Sequence, residues 1–165
     1  MDVPIVLVHG LRVSGTMWRP QVELLEGLGR RVVAPDLPGH GSRRGEEFSL
    51  GRAVDAVLEA IDGVGGRALL VGLSLGGFVS IAAAGAAPGR VAGLVAASCT
   101  AKPAQLLAQV YRIPAVLMDR LPDKGAAVNE RFHRLTLRDG AAEAVLDGGL
   151  AVEAATAVID AVSEM

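Results

Sequence analysis

Several residue types and patterns are scarce or missing in this chain, and each absence removes a class of protein. Cysteine occurs once, at Cys99, so no internal disulfide framework can form and a reducing compartment suits the chain. Aromatic residues make up only 3% of 165 residues against 51% hydrophobic, so the core must be built from Val, Leu, Ile and Ala. No apolar run reaches the length of a membrane span, and Met1-Asp2-Val3-Pro4 lacks the basic, apolar and small-residue pattern of a signal peptide. A cytoplasmic protein is the expectation. Net charge is −2 and the pI is near 5.9, which leaves no basic footprint for nucleic acid or anionic lipid. The partner to expect is a small molecule, with no nucleic acid, no membrane, no metal and no cofactor. Lysine stands only at Lys102 and Lys124, and the other cations are arginine; with the Ala and Gly excess, that balance suggests a GC-rich bacterial genome.

What is present is a regular alternation of strand-like and helix-like segments. Val3-Pro4-Ile5-Val6-Leu7-Val8 is apolar throughout, as a strand buried on both faces of a parallel sheet must be, and it ends at His9-Gly10. Met17, Val22, Leu25 and Leu28 predict an amphipathic helix closed by Gly29. Arg31 to Asp36 reads as a second strand that runs into the breaker-rich loop Leu37-Pro38-Gly39-His40-Gly41-Ser42. The clearest helical period follows, with Leu50, Ala53, Val54, Val57, Leu58 and Ile61 on one face and Ser49 as its N-cap.

Ala68-Leu69-Leu70-Val71 then leads into Gly72-Leu73-Ser74-Leu75-Gly76 and an Ala-rich segment without a breaker until Pro88. This reads as strand, sharp turn and helix with Ser74 at the apex. Gly72 and Gly76 have a physical task there, because only residues lacking a β-carbon let strand and helix pass so close. The turn lacks the Gly-Lys-Ser/Thr ending of a nucleotide loop and the Gly-x-Gly-x-x-Gly spacing of a dinucleotide fold. Val91 to Ala97 completes the alternation as a further buried strand, and the whole predicts an α/β fold, a parallel sheet with helices on both faces.

From residue 102 onward the pattern changes. Ala104 to Tyr111, Val128 to Leu137 and Leu150 to Val162 look helical, with Pro103, Pro114 and Pro122 as corners. The chain therefore divides into an α/β core over 1–101 and a helical segment over 102–165.

Collected at the carboxyl ends of the predicted strands are His9-Gly10, Asp36 to Ser42, Ser74 and Ser98-Cys99-Thr100. Together with Trp18, the motifs His9-Gly10, Asp36-Leu37-Pro38-Gly39-His40-Gly41-Ser42 and Gly72-Leu73-Ser74-Leu75-Gly76-Gly77 resemble the α/β-hydrolase family in order and spacing. The resemblance is strong over residues 3 to about 100 and implies that the later helices resemble the start of that family's cap. It further implies Ser74 as nucleophile and an oxyanion hole made by the backbone amides of Leu11 and Leu75, with His9, Gly10, Gly72 and Gly76 in support. His9 is expected to brace its loop, Asp36 to pin the Pro-Gly-His-Gly turn, His133 to lie on a solvated helix, and Cys99 to pack at a strand end.

One departure stands out. A serine hydroxyl needs a base and an acid, which in this family follow the serine on later strand ends. No residue of the chain fits either role: Ser98-Cys99-Thr100 holds no carboxylate, and Asp119, Asp123, Asp139, Glu143 and Asp147 precede no suitable histidine. The expectation is a truncated hydrolase of a kind normally roughly 250 residues long. Such a chain would have an unpaired sheet edge, poor solubility or self-association, and a small acyl compound such as an ester, thioester or lactone as substrate. The competing reading is an inactive or ligand-binding protein that keeps the fold without the triad.

Overall fold

The computed structural model describes residues 3–100, 105–137, 140–153 and 155–163. Four strands form one parallel sheet in the order β2-β1-β3-β4, where β1 is Ile5–Val8, β2 Val32–Val33, β3 Ala68–Leu73 and β4 Val91–Ala97. Helix α1 (Arg19–Gly27) joins β1 to β2, α2 (Leu50–Gly63) joins β2 to β3, and α3 (Leu75–Ala86) joins β3 to β4. Each crossover carries a helix because parallel neighbours cannot be joined by a tight turn. Val6, Val8, Leu37, Val57, Ile61, Leu70 and Val79 form the larger core between the sheet, α2 and α3, while Ile5, Leu7 and Val32 pack with α1 on the opposite face.

Local sequence chemistry accounts for most boundaries. Ser49 caps α2, its hydroxyl accepting from the Arg52 amide at 3.3 Å. Gly29 closes α1 with φ +76°, and the amide of Arg30 turns back to the carbonyl of Leu25 at 2.9 Å. The entry to α1 differs from the expected helix over Met17 to Leu28. Gly15–Trp18 is a separate 3-10 turn capped by Ser14, and the α-helix begins only at Arg19, with Pro20 in its first turn, where a missing N–H costs nothing.

Beyond the sheet come α4 (Gln105–Asp119), α5 (Ala126–Thr136), α6 (Ala141–Asp147) and α7 (Ala155–Ser163). Two expectations fail here. Pro114 lies inside α4 rather than at a corner, because packing of Ala115 against Ala155 and Ile159 of α7 carries the helix through it. Pro122 does fall in a turn, and Pro103 lies outside the described residues. Residues 150–153, expected as the start of the last helix, are irregular. They dock on the core instead, the amide of Ala151 donating to the carbonyl of Arg12 at 2.8 Å.

The last strand departs from expectation as well. β4 has the predicted bounds but is not buried: Leu94 is 38% and Val95 50% exposed. It pairs with β3 on one side only, so it forms an edge of the sheet among the described residues.

Candidate active site

The turn between β3 and α3 is as tight as the spacing of its glycines demands. A β-carbon on Gly72 would run into the backbone of Gly76, and one on Gly76 would run into the carbonyl oxygens of Val8 and His9. At the apex Ser74 takes φ 52° and ψ −113°, a region that side-chain-bearing residues seldom occupy and that costs about 1–3 kcal/mol. Ser74 pays this while its own amide stays in the sheet, donating to Ala97 at 2.8 Å, and its carbonyl starts α3 by accepting from Gly77 at 2.9 Å. The hydroxyl makes no hydrogen bond among the described residues and is not sealed from solvent.

Beneath the serine lies the end of β1. A β-carbon built on Gly10 would stand 3.9 Å from that of Ser74, so the two loops meet at that point. The amides of Leu11 and Leu75 donate to no other group among the described residues. Leu75 is also the first residue of α3, so its amide shares the positive end of the helix. Ser74, Gly10, Leu11, Leu75, Gly72 and Gly76 are thus brought together.

His9 is wholly buried and fully engaged. Its Nδ1–H donates to the carbonyl of Gly10 at 2.8 Å and its Nε2 accepts the amide of Leu37 at 3.0 Å. Burial first, and His40 second, push its pKa down to about 4, so it is a neutral brace with no nitrogen to spare for Ser74. His40, with its ring centroid 5.0 Å away, donates from Nδ1 to the carbonyl of Pro38 at 2.9 Å, and burial lowers its pKa too. Asp36 gathers the same loop: one oxygen accepts the amide of Gly15 at 2.8 Å, and the other accepts the amide and hydroxyl of Ser42, each at 2.8 Å. Burial alone would raise its pKa, but these donors outweigh it and hold the carboxyl below its ordinary value.

The remaining candidates make no hydrogen bond to Ser74 among the described residues. His133 stands half-buried on α5, its ring 5.7 Å from that of Phe132, and α5 packs on α6. Cys99 closes on the start of α3, where its Sγ occupies the space a β-carbon of Gly77 would need. Burial raises its pKa, so it stays a thiol. A crevice of about 410 Å³ opens between the loop after β2 and the segment before α7, lined by Gly39, Arg44, Phe48, Ala151 and Val152 among others.

Sequence reasoning overlooked Arg12. It adopts φ 68°, is only 8% exposed, and sends Nη1 to the sulfur of Met118 on α4 at 3.0 Å. Nothing in its sequence context marks it, since a cation after Gly10-Leu11 reads as an exposed loop residue.

The chain and its fold have counterparts among known proteins. A profile of the alpha/beta hydrolase family matches residues 5–163. The chain belongs to that family. It is 43% identical over 96 residues to the dihydrolipoyllysine-residue acetyltransferase component of the acetoin cleaving system of Pseudomonas putida, covering 55% of this chain and 25% of that protein. Over 91 residues it is 43% identical to the pimeloyl-[acyl-carrier protein] methyl ester esterase of Methylococcus capsulatus, covering 54% of this chain and 34% of the esterase. A hydrolase from Pseudomonas aeruginosa shares the fold with a TM-score of 0.74 at 23% identity, covering 99% of this α/β-hydrolase chain and 65% of the other. The matched stretch therefore spans about a quarter to a third of the length of these two curated relatives. No helix of the described residues is long and apolar enough to cross a membrane.

Proposed function

We propose that this α/β-hydrolase chain carries the nucleophile and oxyanion hole of a serine hydrolase acting on a carboxylic ester or related acyl compound. The observation that supports it best is the strained Ser74 at the head of α3, its hydroxyl not sealed from solvent, with the amides of Leu11 and Leu75 unpaired among the described residues. Ser74 Oγ attacks the acyl carbon, its proton passes to a base, and the carbonyl oxygen takes up the negative charge. The two amides hold that oxyanion, a charge present only in the transition state and intermediate. Collapse expels the alcohol or thiol, which takes up the proton, and leaves an acyl-Ser74 ester for water to cleave. Residues 105–163 serve as a cap over this mouth, and the compound is drawn from a cytoplasmic pool of a bacterial cell.

On this reading the base and its orienting acid come from residues other than those described, since His9 is fully bonded and neither His40 nor His133 hydrogen-bonds Ser74. That same lack supports a second reading, a ligand-binding protein that keeps the elbow without turnover. Labelling with a fluorophosphonate separates the two. Run on this chain and on the product of its complete reading frame, the proposal expects labelling that disappears in Ser74→Ala. A folded full product that neither labels nor hydrolyses p-nitrophenyl butyrate would leave the binding reading in its place.

A further inference from the structure

Arg12 follows the proposed oxyanion donor Leu11 and lies at the seam between that loop and the helices beyond the sheet. Leu11 packs on Ala115, Ala155 and Ile159. The Arg12 carbonyl accepts from Ala151 at 2.8 Å and its guanidinium reaches Met118 at 3.0 Å. The same loop meets the serine at Gly10, where a β-carbon would stand 3.9 Å from that of Ser74.

The side chain is provided for oddly. A buried arginine in a purely structural role has its N–H groups bonded to carboxylates or carbonyls, because desolvating the cation is costly otherwise. Here the one hydrogen bond goes to a thioether, a weak acceptor. No carboxylate lies within 4.0 Å of it among the described residues, and Asp119, which acts on it only through space, accepts the Thr156 hydroxyl at 2.6 Å. Nε and Nη2 are unbonded among the described residues and not wholly sealed from solvent, so two faces of the guanidinium fork keep donors without a protein acceptor. Docking of the loop does not need this side chain, since the contact to Ala151 uses only the backbone.

A planar, permanently charged fork with free donors, on the residue that follows the proposed oxyanion donor Leu11, matches one ligand chemistry closely, the two oxygens of a carboxylate. Resting on the hydrolase reading above, we propose that Arg12 recognises a carboxylate on the acyl part of the substrate, so that the preferred compounds are monoesters or monothioesters of dicarboxylic acids. The pairing fixes the far end of the acyl chain and thereby sets the position of its carbonyl relative to Ser74. It acts on binding and orientation, not on bond breaking.

The test compares monomethyl glutarate with methyl butyrate on the product of the complete reading frame, as native protein, Arg12→Gln and Arg12→Lys. The expected result is a native preference for the charged ester that falls about tenfold or more in Arg12→Gln, mainly through KM, and is partly kept in Arg12→Lys. Equal activity on the two esters, or an equal loss on both in Arg12→Gln, overturns the assignment. A second arm needs no turnover: glutarate titrated calorimetrically into Ser74→Ala is expected to bind saturably, and Arg12→Gln in that background to abolish binding. Absence of binding overturns the site, whereas binding without hydrolysis of any ester overturns the hydrolase reading and leaves Arg12 as a carboxylate receptor.

Discussion

Gly76 lies so close beneath the end of β1 that a single methyl group on it would meet the carbonyl oxygen of Val8. Backbone, not side chain, is the obstacle, so neither side can yield by changing a rotamer. Gly76→Ala is expected to destabilise the fold by about 3 kcal/mol. Urea unfolding followed by circular dichroism measures the loss, and a shift of under ~0.5 kcal/mol would mean that the elbow is looser than its geometry implies.

His9 makes stability depend on pH. Its folded pKa near 4 lies below the ordinary 6.5, so between those values the unfolded chain binds a proton that the folded chain refuses. The stabilisation is complete above pH 6.5 and declines as the pH falls toward 4, by on the order of 3 kcal/mol for this one group. His40, depressed in the same direction, adds to the slope. Urea midpoints at pH 7.5 and 5 are expected to differ accordingly. Replacement of His9 by Leu should lower stability at pH 7.5, since the Leu37 amide loses its acceptor, and should flatten the pH dependence.

Asp36 ties three donors from two segments into one carboxylate. Asp36→Ala leaves the amides of Gly15 and Ser42 without that acceptor and is expected to cost about 2–3 kcal/mol. The exposed pair between Arg19 and Asp147, 2.7 Å apart with both side chains about half exposed, is expected to matter far less: Arg19→Ala should change stability by under ~0.5 kcal/mol. A denaturation series on the two variants ranks them, and a larger loss for Arg19→Ala would reverse the argument.

Much of this was legible because the decisive signals are local. A glycine pair around Ser74 states its own geometry, as does Ser49 before a helical period, and β4 was bounded correctly at Val91 and Ala97. Burial of β4 was not legible, since an apolar run tells that a strand wants cover without telling whether cover is there. Pro114 and residues 150–153 misled because tertiary contacts, of Ala115 with α7 and of Ala151 with Arg12, override local preference. Arg12 was overlooked for the same reason: its partner Met118 lies 106 residues away.

Helices α6 and α7 are held to the core by a turn that leaves no room for a side chain. Gly148 donates its amide to the Thr16 hydroxyl at 3.2 Å, accepts Arg44 at its carbonyl, and would carry any β-carbon into the Ser14 hydroxyl. Gly148→Val is expected to release this turn while leaving the sheet folded. Limited proteolysis should then cut near residue 148 several-fold faster than in the native chain, with unchanged protection of β1 and β3. Equal cleavage rates would place the anchor elsewhere.

Val95 faces solvent at 50% exposure on an edge strand where its neighbours Leu94 and Ala96 are exposed as well. A row of unpaired backbone groups flanked by apolar side chains pairs readily with another such row, and a charge placed there opposes the approach of a second edge. The chain alone is therefore expected to associate with rising concentration. Val95→Lys should lower its apparent mass in size-exclusion chromatography with little effect on the melting temperature, because that side chain buries little in the monomer. A native chain that elutes as a compact monomer at high micromolar concentration would show that this edge is protected without a partner strand.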